Sequence, residues 1–374
     1  MRRHARIAIA TVTAALALCS SALGFADGSA VARDQNDEHK CSDYVNIDGF
    51  SDSLDGTLFK KRYVGDLSGL AVDSDGSLAA LSDRSTLFRL EAEKGTGGKP
   101  EAKPIEMNDV VDEKGYPSLD SEALAIDHDG TRVITSEIEP SIRFYDKSGA
   151  LRGQLPVPDA LRVEDPAHPA YRARENRTLE GLTLQPDGKT LIASVEGQLK
   201  DDGADADGRP LLRLQTWTRG VGQGVEKFTV AKQYGYPADR DTRYVSEIAA
   251  AGDGRLLVLE RGHIRNVGNI VRIYLADLSQ ASDVTGVGKL TGPPTGVKLV
   301  KKTLLVDIAK CPDLGATNPQ TQPNKLLDNI EGMAVTDHTS DGKLKLLLVS
   351  DDNANVKQVT RLYALTATLP DNGS

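Results

Sequence analysis

One short pattern recurs five times along the 374-residue chain: an apolar strand, a turn carrying Asp-Gly, and a second strand that closes on an acid. The copies are "SGLAVDSDGSLAALSDR" from Ser68, "EALAIDHDGTRVITSE" from Glu122, "EGLTLQPDGKTLIASVEG" from Glu180, "SEIAAAGDGRLLVLERG" from Ser246 and "EGMAVTDHTSDGKLKLLLVSDDN" from Glu331. Asp-Gly supplies the positive backbone dihedrals of a tight hairpin turn, so each copy reads as an antiparallel pair whose ends meet away from the turn. The starts lie 54, 58, 66 and 85 residues apart, and further strand-like pieces follow, among them "TLFRL" from Thr86, "LLRLQTWT" from Leu211 and "VKLVKKTLLVDI" from Val297. Three or four strands per repeat, with no long helical periodicity, predict an all-β fold: a β-propeller of four-stranded blades. Five blades are visible, and the interval between Ser246 and Glu331 leaves room for a degenerate sixth. The last copy lacks a fourth strand. "TLFKKRYV", residues 57–64, is expected to supply it and so close the ring with an N-terminal strand.

Ahead of the repeats, Arg2, Arg3 and Arg6 precede an apolar run over residues 7–18 and small residues ending at Ala30-Val31-Ala32. That is the pattern of a secretory signal peptide, cut after Ala32 or alternatively after Ala26. Leu18 stands where a lipid-attachment box around Cys19 would carry a small residue, which argues against a lipoprotein. The organisation is therefore expected to be a signal peptide over 1–32, an N-terminal segment over 33–56 and one propeller domain over 57–374. Cleavage removes three arginines and Asp27, which takes the formal charge from −9 to −11. Such a chain is a poor partner for nucleic acid or an anionic membrane surface and a better one for metal cations. It is expected to be extracellular and monomeric, acting on a small molecule. Two cysteines survive processing, Cys41 and Cys311; an isolated pair in an oxidising compartment reads as a disulfide, with two unrelated thiols as the alternative.

In a propeller the first strand of every blade lines the channel and all run the same way. Strand-one starts (Glu122, Glu180, Glu247, Glu331) and strand-two ends (Asp83, Glu137, Glu196, Glu260, Asp351) therefore face one mouth. Carboxylates gathered this closely repel unless cations or protons intervene. Calcium suits such a set because it takes six to eight hard oxygen ligands in flexible geometry. Arg84, Arg143 and Arg261, close in sequence to these acids, are the other source of compensation. Capping of backbone amides and ion pairing explain any one of these acids; recurrence at one place in four or five repeats points to a functional rim. Turn chemistry alone explains the acids beside Asp-Gly at the far mouth. There is no G-x-S-x-G element, phosphate-cradling loop or dinucleotide fingerprint, and the histidines lack zinc spacing, although His263 lies close to Arg261.

The elements "DLSGLAVDSDGSLAALSDR", "LEGLTLQPDGKTLIASVEG", "LLVLERG" and "NIEGMAV…LLVSDDN" together resemble the secreted bacterial domains called phytase-like, or "esterase-like activity of phytase", from about Asp66 to Asn353. The resemblance implies a propeller whose recurrent acids carry phosphoester or ester hydrolysis. By matching motif these are Asp83-Arg84, Glu122, Glu137, Glu180, Glu196, Glu260-Arg261, Glu331 and Asp351-Asp352-Asn353. Ser68 stands where later repeats have Glu, and in the fourth the acid is displaced to Glu247, so an asymmetric funnel is expected. The leading expectation is a metal-dependent phosphoester hydrolase in which Glu180 and Glu331 act as ligands or general base and Arg84, Arg143 or Arg261 neutralises developing charge. A calcium-assisted binding propeller without catalysis, and a metal-dependent lactonase or carboxylesterase, are the alternatives.

Overall fold

The computed structural model of the protein describes residues 38–95, 98–222, 224–292 and 296–371; the expected signal peptide lies outside them. Five four-stranded antiparallel sheets follow one another along the chain. Their inner strands are Leu67–Val72, Ser121–Ile126, Leu179–Leu184, Tyr244–Ala250 and Asn329–His338. Each packs against the inner strands of both neighbouring blades, the fifth returning to the first, which closes a five-bladed propeller. Among the described residues there is no α-helix. The interval between Ser246 and Glu331 holds the outer strands of blade 4 and two long loops rather than a sixth blade. In one of these loops Val284 and Leu290 pack against Leu211 of blade 3.

The ring closes with an N-terminal strand, but with Val45–Ser51 rather than residues 57–64. "VNIDGFS" alternates buried and part-buried residues and pairs antiparallel with Leu362–Ala367, Val45 lying opposite Ala367. The propeller thus begins inside the stretch expected to precede it. "TLFKKRYV" instead folds on itself, because Lys60 and Lys61 take positive φ (49° and 69°) and turn Leu58–Phe59 back onto Arg62–Tyr63. Several contacts hold the closing strand. Cys41 and Cys311 form a disulfide, Ser42 Oγ donates to the Leu305 carbonyl at 2.5 Å, and Asp48 accepts from Thr366 and Lys345. Closing a covalent loop with a sequence separation of 270 stabilises by about 5 kcal/mol in chain-entropy terms.

The core lies between blades. Trp217, fully buried, packs with blade 2 and blade 3 residues including Phe144, Leu155 and Leu191, and its indole N–H donates to the Pro156 carbonyl at 2.8 Å. It is a core residue of a third strand.

Candidate functional site: an acidic funnel at one channel mouth

Every inner strand breaks register with its neighbour at the same point near its start. The breaks fall between Leu67 and Gly69, Ser121 and Leu124, Leu179 and Leu182, Val245 and Glu247, and Ile330 and Gly332. A β-bulge leaves a residue out of the ladder and re-aims its side chain. The residues so placed include Ser68, Glu122, Glu180 and Glu331, which line a cavity of about 630 Å³ at the channel mouth, and Ser246 in blade 4. Hydroxyls of the second strands take up freed amides: Ala123 N donates to Thr135 Oγ1 at 2.9 Å, and Gly181 N to Ser194 Oγ at 3.0 Å. Glycine after the bulged glutamate permits close approach of the next blade. A Cβ at Gly181 would lie 2.6 Å from Ile248 N, and one at Gly332 3.0 Å from Ser68 O.

A second ring comes from the residues that end the second strands. Ser82, Ser136, Val195, Glu260 and Ser350 pair with inner-strand residues at the bulge, so Asp83, Glu137, Glu196, Arg261 and Asp351 are the next residues along. All five line the cavity. The amides of Asp83, Glu137 and Glu196 donate to the carbonyls of Asp66, Asp120 and Thr178 at 2.8–2.9 Å, so one backbone geometry positions each acid.

Blade 4 keeps this register but carries its acid one position earlier, and that corrects one expected site residue. Side chains alternate along a strand, so a one-residue slip moves a residue to the other face. Arg261 takes the funnel position, and Glu260 points into the blade. There Glu260 accepts from Tyr236 Oη (2.6 Å), Thr242 Oγ1 (2.6 Å) and Asp239 N (2.9 Å) and pairs with Lys302. Glu247 also leaves the rim: its Oε1 accepts from the backbone amides of Leu182 and Ile248 at 3.0 and 2.8 Å. Arg143 is buried in blade 2 beside Glu113 and Glu139, outside the cavity lining, and Arg84 sits exposed on the rim, paired with Asp66 at 2.5 Å. Of the expected residues, the structure brings together Asp83, Glu122, Glu137, Glu180, Glu196, Glu331, Asp351 and Arg261.

Sequence reasoning missed Asp66, Asp120 and Arg177, whereas Asp352 belongs to the expected Asp351-Asp352-Asn353 element. A signal for two of them exists: Asp66 and Asp120 stand two residues before the bulged Ser68 and Glu122, where the other blades carry Thr178, Tyr244 and Asn329. Their φ values of 53° and 46° suit a residue type that tolerates the left-handed region.

Arg261 is the cation at the centre. Its Nη2 lies 2.9 Å from Glu331, 3.3 Å from Glu196 and 3.7 Å from Glu180, and its Nη1 donates to Asn329 Oδ1 at 3.0 Å. Burial works against its charge, but Glu331, Glu196, Glu180 and Glu122 more than offset this and raise its pKa. One guanidinium does not balance the surrounding acids. Burial and then neighbouring carboxylates push Glu122 and Glu180 well above the usual range. Burial, with Asp66 and Asp120 nearby, brings Asp83 up to about 7; burial brings Glu137 to about 7, and burial with Glu331 brings Asp351 to about 9. Two triads place carboxylate oxygens within 4.8 Å of one another: Asp66, Asp351 and Asp352, and Asp120, Glu122 and Glu137. Glu180 Oε2, Asp83 Oδ1 and Asp66 Oδ1 are buried with no hydrogen-bond partner. An all-oxygen donor set with orphaned carboxylate atoms fits a hard divalent cation such as calcium.

The opposite mouth holds the Asp-Gly turns. Asp73 pairs with Arg132, Asp127 accepts from Arg219 on both oxygens at 2.8 Å, and Asp253 pairs with Arg255 at 2.6 Å. The channel there forms a cavity of about 270 Å³ whose lining side chains are mostly apolar, such as Leu70, Leu124, Leu182 and Met333.

Residues 62–354 match the family described as "Phytase-like: Esterase-like activity of phytase". An "Uncharacterized secreted protein" of Arthroderma benhamiae is 29% identical over 107 residues, 23% of this chain, and the chain spans about a fifth (21%) of that relative's length. Among solved structures, the PQQ-bound aldose sugar dehydrogenase of Streptomyces coelicolor is 15% identical, covering 86% of this chain and 98% of that one, with a TM-score of 0.39. A calcium structure of a Trichoderma reesei carbohydrate-active enzyme of family AA12 is 11% identical over 88% and 97% of the two chains, also at 0.39. At these TM-scores neither likeness bears on activity.

Proposed function

The chain belongs to the phytase-like family, and from that premise we propose that it is an exported, metal-dependent hydrolase of phosphoesters working at the acidic funnel. One observation carries this reading: eight carboxylates line the cavity (Asp83, Asp120, Glu122, Glu137, Glu180, Glu196, Glu331 and Asp351) against two guanidiniums, Arg177 and Arg261. Such a wall calls for cations, and cations so held attract an anionic substrate. The two triads would hold the metal, calcium being the best match to their chemistry. When bound, a divalent cation supplies Lewis-acid polarisation of a phosphoryl oxygen. Arg261, fixed by three glutamates, presents positive charge at the funnel centre where negative charge develops. Glu180 Oε2, unpartnered and beside that guanidinium, is the atom at which a proton can be taken up or released. Among the described residues, Tyr244 and His263 are the only rings in the lining, which suits a charged substrate better than a neutral aromatic ester.

The test is phosphate release from phytate and simple phosphomonoesters by residues 33–374, with calcium and with chelator. Release that stops with chelator and falls at least ~100-fold in Glu180→Ala is the expected result. A folded protein that binds calcium and releases no phosphate would overturn the reading in favour of a binding propeller.

A further inference from the structure

Arg261 is tied to Glu331, Glu196 and Glu180, whereas the second guanidinium of the funnel wall holds no carboxylate at ion-pair distance among the described residues. Arg177 lines the cavity at the end of the 162–177 loop. Its backbone is held next to a fixed point, because Thr178 donates its amide to Glu137 Oε1 at 2.9 Å and its hydroxyl to the Glu137 carbonyl at 3.1 Å. The stem of Arg177 lies over Gly197, where an added Cβ would come within 3.2 Å of its Cβ and Cδ. The guanidinium carbon stands 4.3 Å from the centroid of the Tyr244 ring. Tyr244 occupies the position two residues before the bulge, lies opposite Arg261 in the blade 4 ladder and also lines the cavity. Among the described residues, no carboxylate lies within ion-pair distance of Arg177 and no hydrogen bond engages its five N–H groups.

A cation kept over an aromatic face, with no hydrogen bond on its donors among the described residues, in the wall of a cavity otherwise rich in carboxylates, is poised for an anion from outside the chain. Stacking restrains the side chain, so less entropy is lost when the guanidinium fork meets a tetrahedral oxyanion. Arg261 has Glu331, Glu196 and Glu180 gathered at its Nη2, where an incoming anion would compete with them.

We propose that Arg177, held on Tyr244 over Gly197, is the specificity-determining residue of the funnel, binding phosphate oxygens of the substrate and so selecting phosphoesters over neutral esters. This rests on the phosphoester reading of the same cavity. The test uses inorganic phosphate as probe and needs no turnover: calorimetric titration of the calcium-loaded protein, with calcium affinity and melting temperature measured alongside. Arg177→Gln is expected to weaken phosphate binding by about 10- to 100-fold, the range for losing charge-assisted hydrogen bonds, without weakening calcium binding, because Arg177 acts on the neighbouring Glu196 as a competing positive charge. Arg177→Lys should recover only part of the loss, since an ammonium neither stacks nor forks. Tyr244→Phe should bind as the wild type does, and Tyr244→Leu should bind several-fold more weakly, because the ring face is the platform. Wild-type phosphate binding that survives Arg177→Gln overturns the role of Arg177 and leaves the phosphoester reading standing. A calcium-loaded wild type that binds no phosphate overturns both.

Discussion

Both mouths of the channel are ringed with carboxylates, but only the turn mouth answers their charge from within the protein. Asp73 is buried, which opposes ionisation, yet the bond from Arg132 and the Ser74 amide pull its pKa below the usual range. Asp146, at the turn of the outer hairpin in blade 2, is brought to about 2 chiefly by the Ser148 hydroxyl. At the funnel mouth the direction reverses, and Asp83, Glu137 and Asp351 rise. The same residue types therefore act as local structure at one end of a strand and as an uncompensated charge reservoir at the other. The difference lies in partners: turn acids find hydroxyls, amides and arginines within a few residues or on the next blade, whereas funnel acids find mainly each other.

Removing an arginine at each mouth should expose this contrast most strongly. Arg132→Ala strands buried Asp73 and should cost about 3 kcal/mol in urea unfolding, whether or not calcium is present. Arg261→Ala should cost a similar ~3 kcal/mol in chelator but less than ~1 kcal/mol in excess calcium, because added cations can replace the lost guanidinium. Equal losses in both conditions would mean that the funnel does not recruit cations.

The pH dependence of the chelated protein comes next in size. A carboxyl whose pKa is raised on folding keeps its proton where the unfolded chain has already lost it, so it contributes stability that is full at low pH and lost as pH rises through the folded value. Melting temperature in chelator should fall from about pH 4.5 through about 7, where Asp83 and Glu137 ionise, and on to about 9 with Asp351. Calcium should flatten that decline. The depressed turn acids act in the opposite sense, and their contribution is lost as pH falls from about 4 towards 2. A chelated protein that is most stable at pH 8 would contradict the assignment.

The smallest effects should differ in sign. Asp83→Asn removes an unanswered charge and should raise the melting temperature in chelator at pH 8 by about 2 °C. Asp129→Ala removes an acceptor for the Thr131 amide and should lower stability by about 0.5–1 kcal/mol in any metal condition.

Much of the funnel was legible because one local pattern, repeated in a closed ring, brings the same end of every unit to the same mouth. Glu122, Glu180 and Glu331 could be placed from the repeat alone, as could Asp83, Glu137, Glu196 and Asp351. Glu260 could not, because "LLVLERG" contains an acid and an arginine side by side and their faces depend on a register that the bulge shifts. Glu247 failed for a related reason: it is bonded by amides of blades 3 and 4, a contact no local pattern encodes. Arg143 lies close in sequence to Glu137 but is a middle residue of the third strand, away from the mouth.

By itself the sequence determined the repeat, and with it the all-β class and five visible blades, while the fold decided that no sixth fills the interval between Ser246 and Glu331. It also held both partners of the Cys41–Cys311 bond, although only folding brings their Cα atoms to 4.0 Å. These features follow from short-range chemistry, Asp-Gly turns and strand alternation, which each segment carries wherever it sits. Tertiary structure alone decided that Val45–Ser51 closes the ring, that Arg261 rather than Glu260 enters the funnel, and that Arg177 lies over Tyr244 with no hydrogen bond on its donors among the described residues. Each of these choices is made between segments far apart in the chain, where register and packing between blades select one face of a strand over the other.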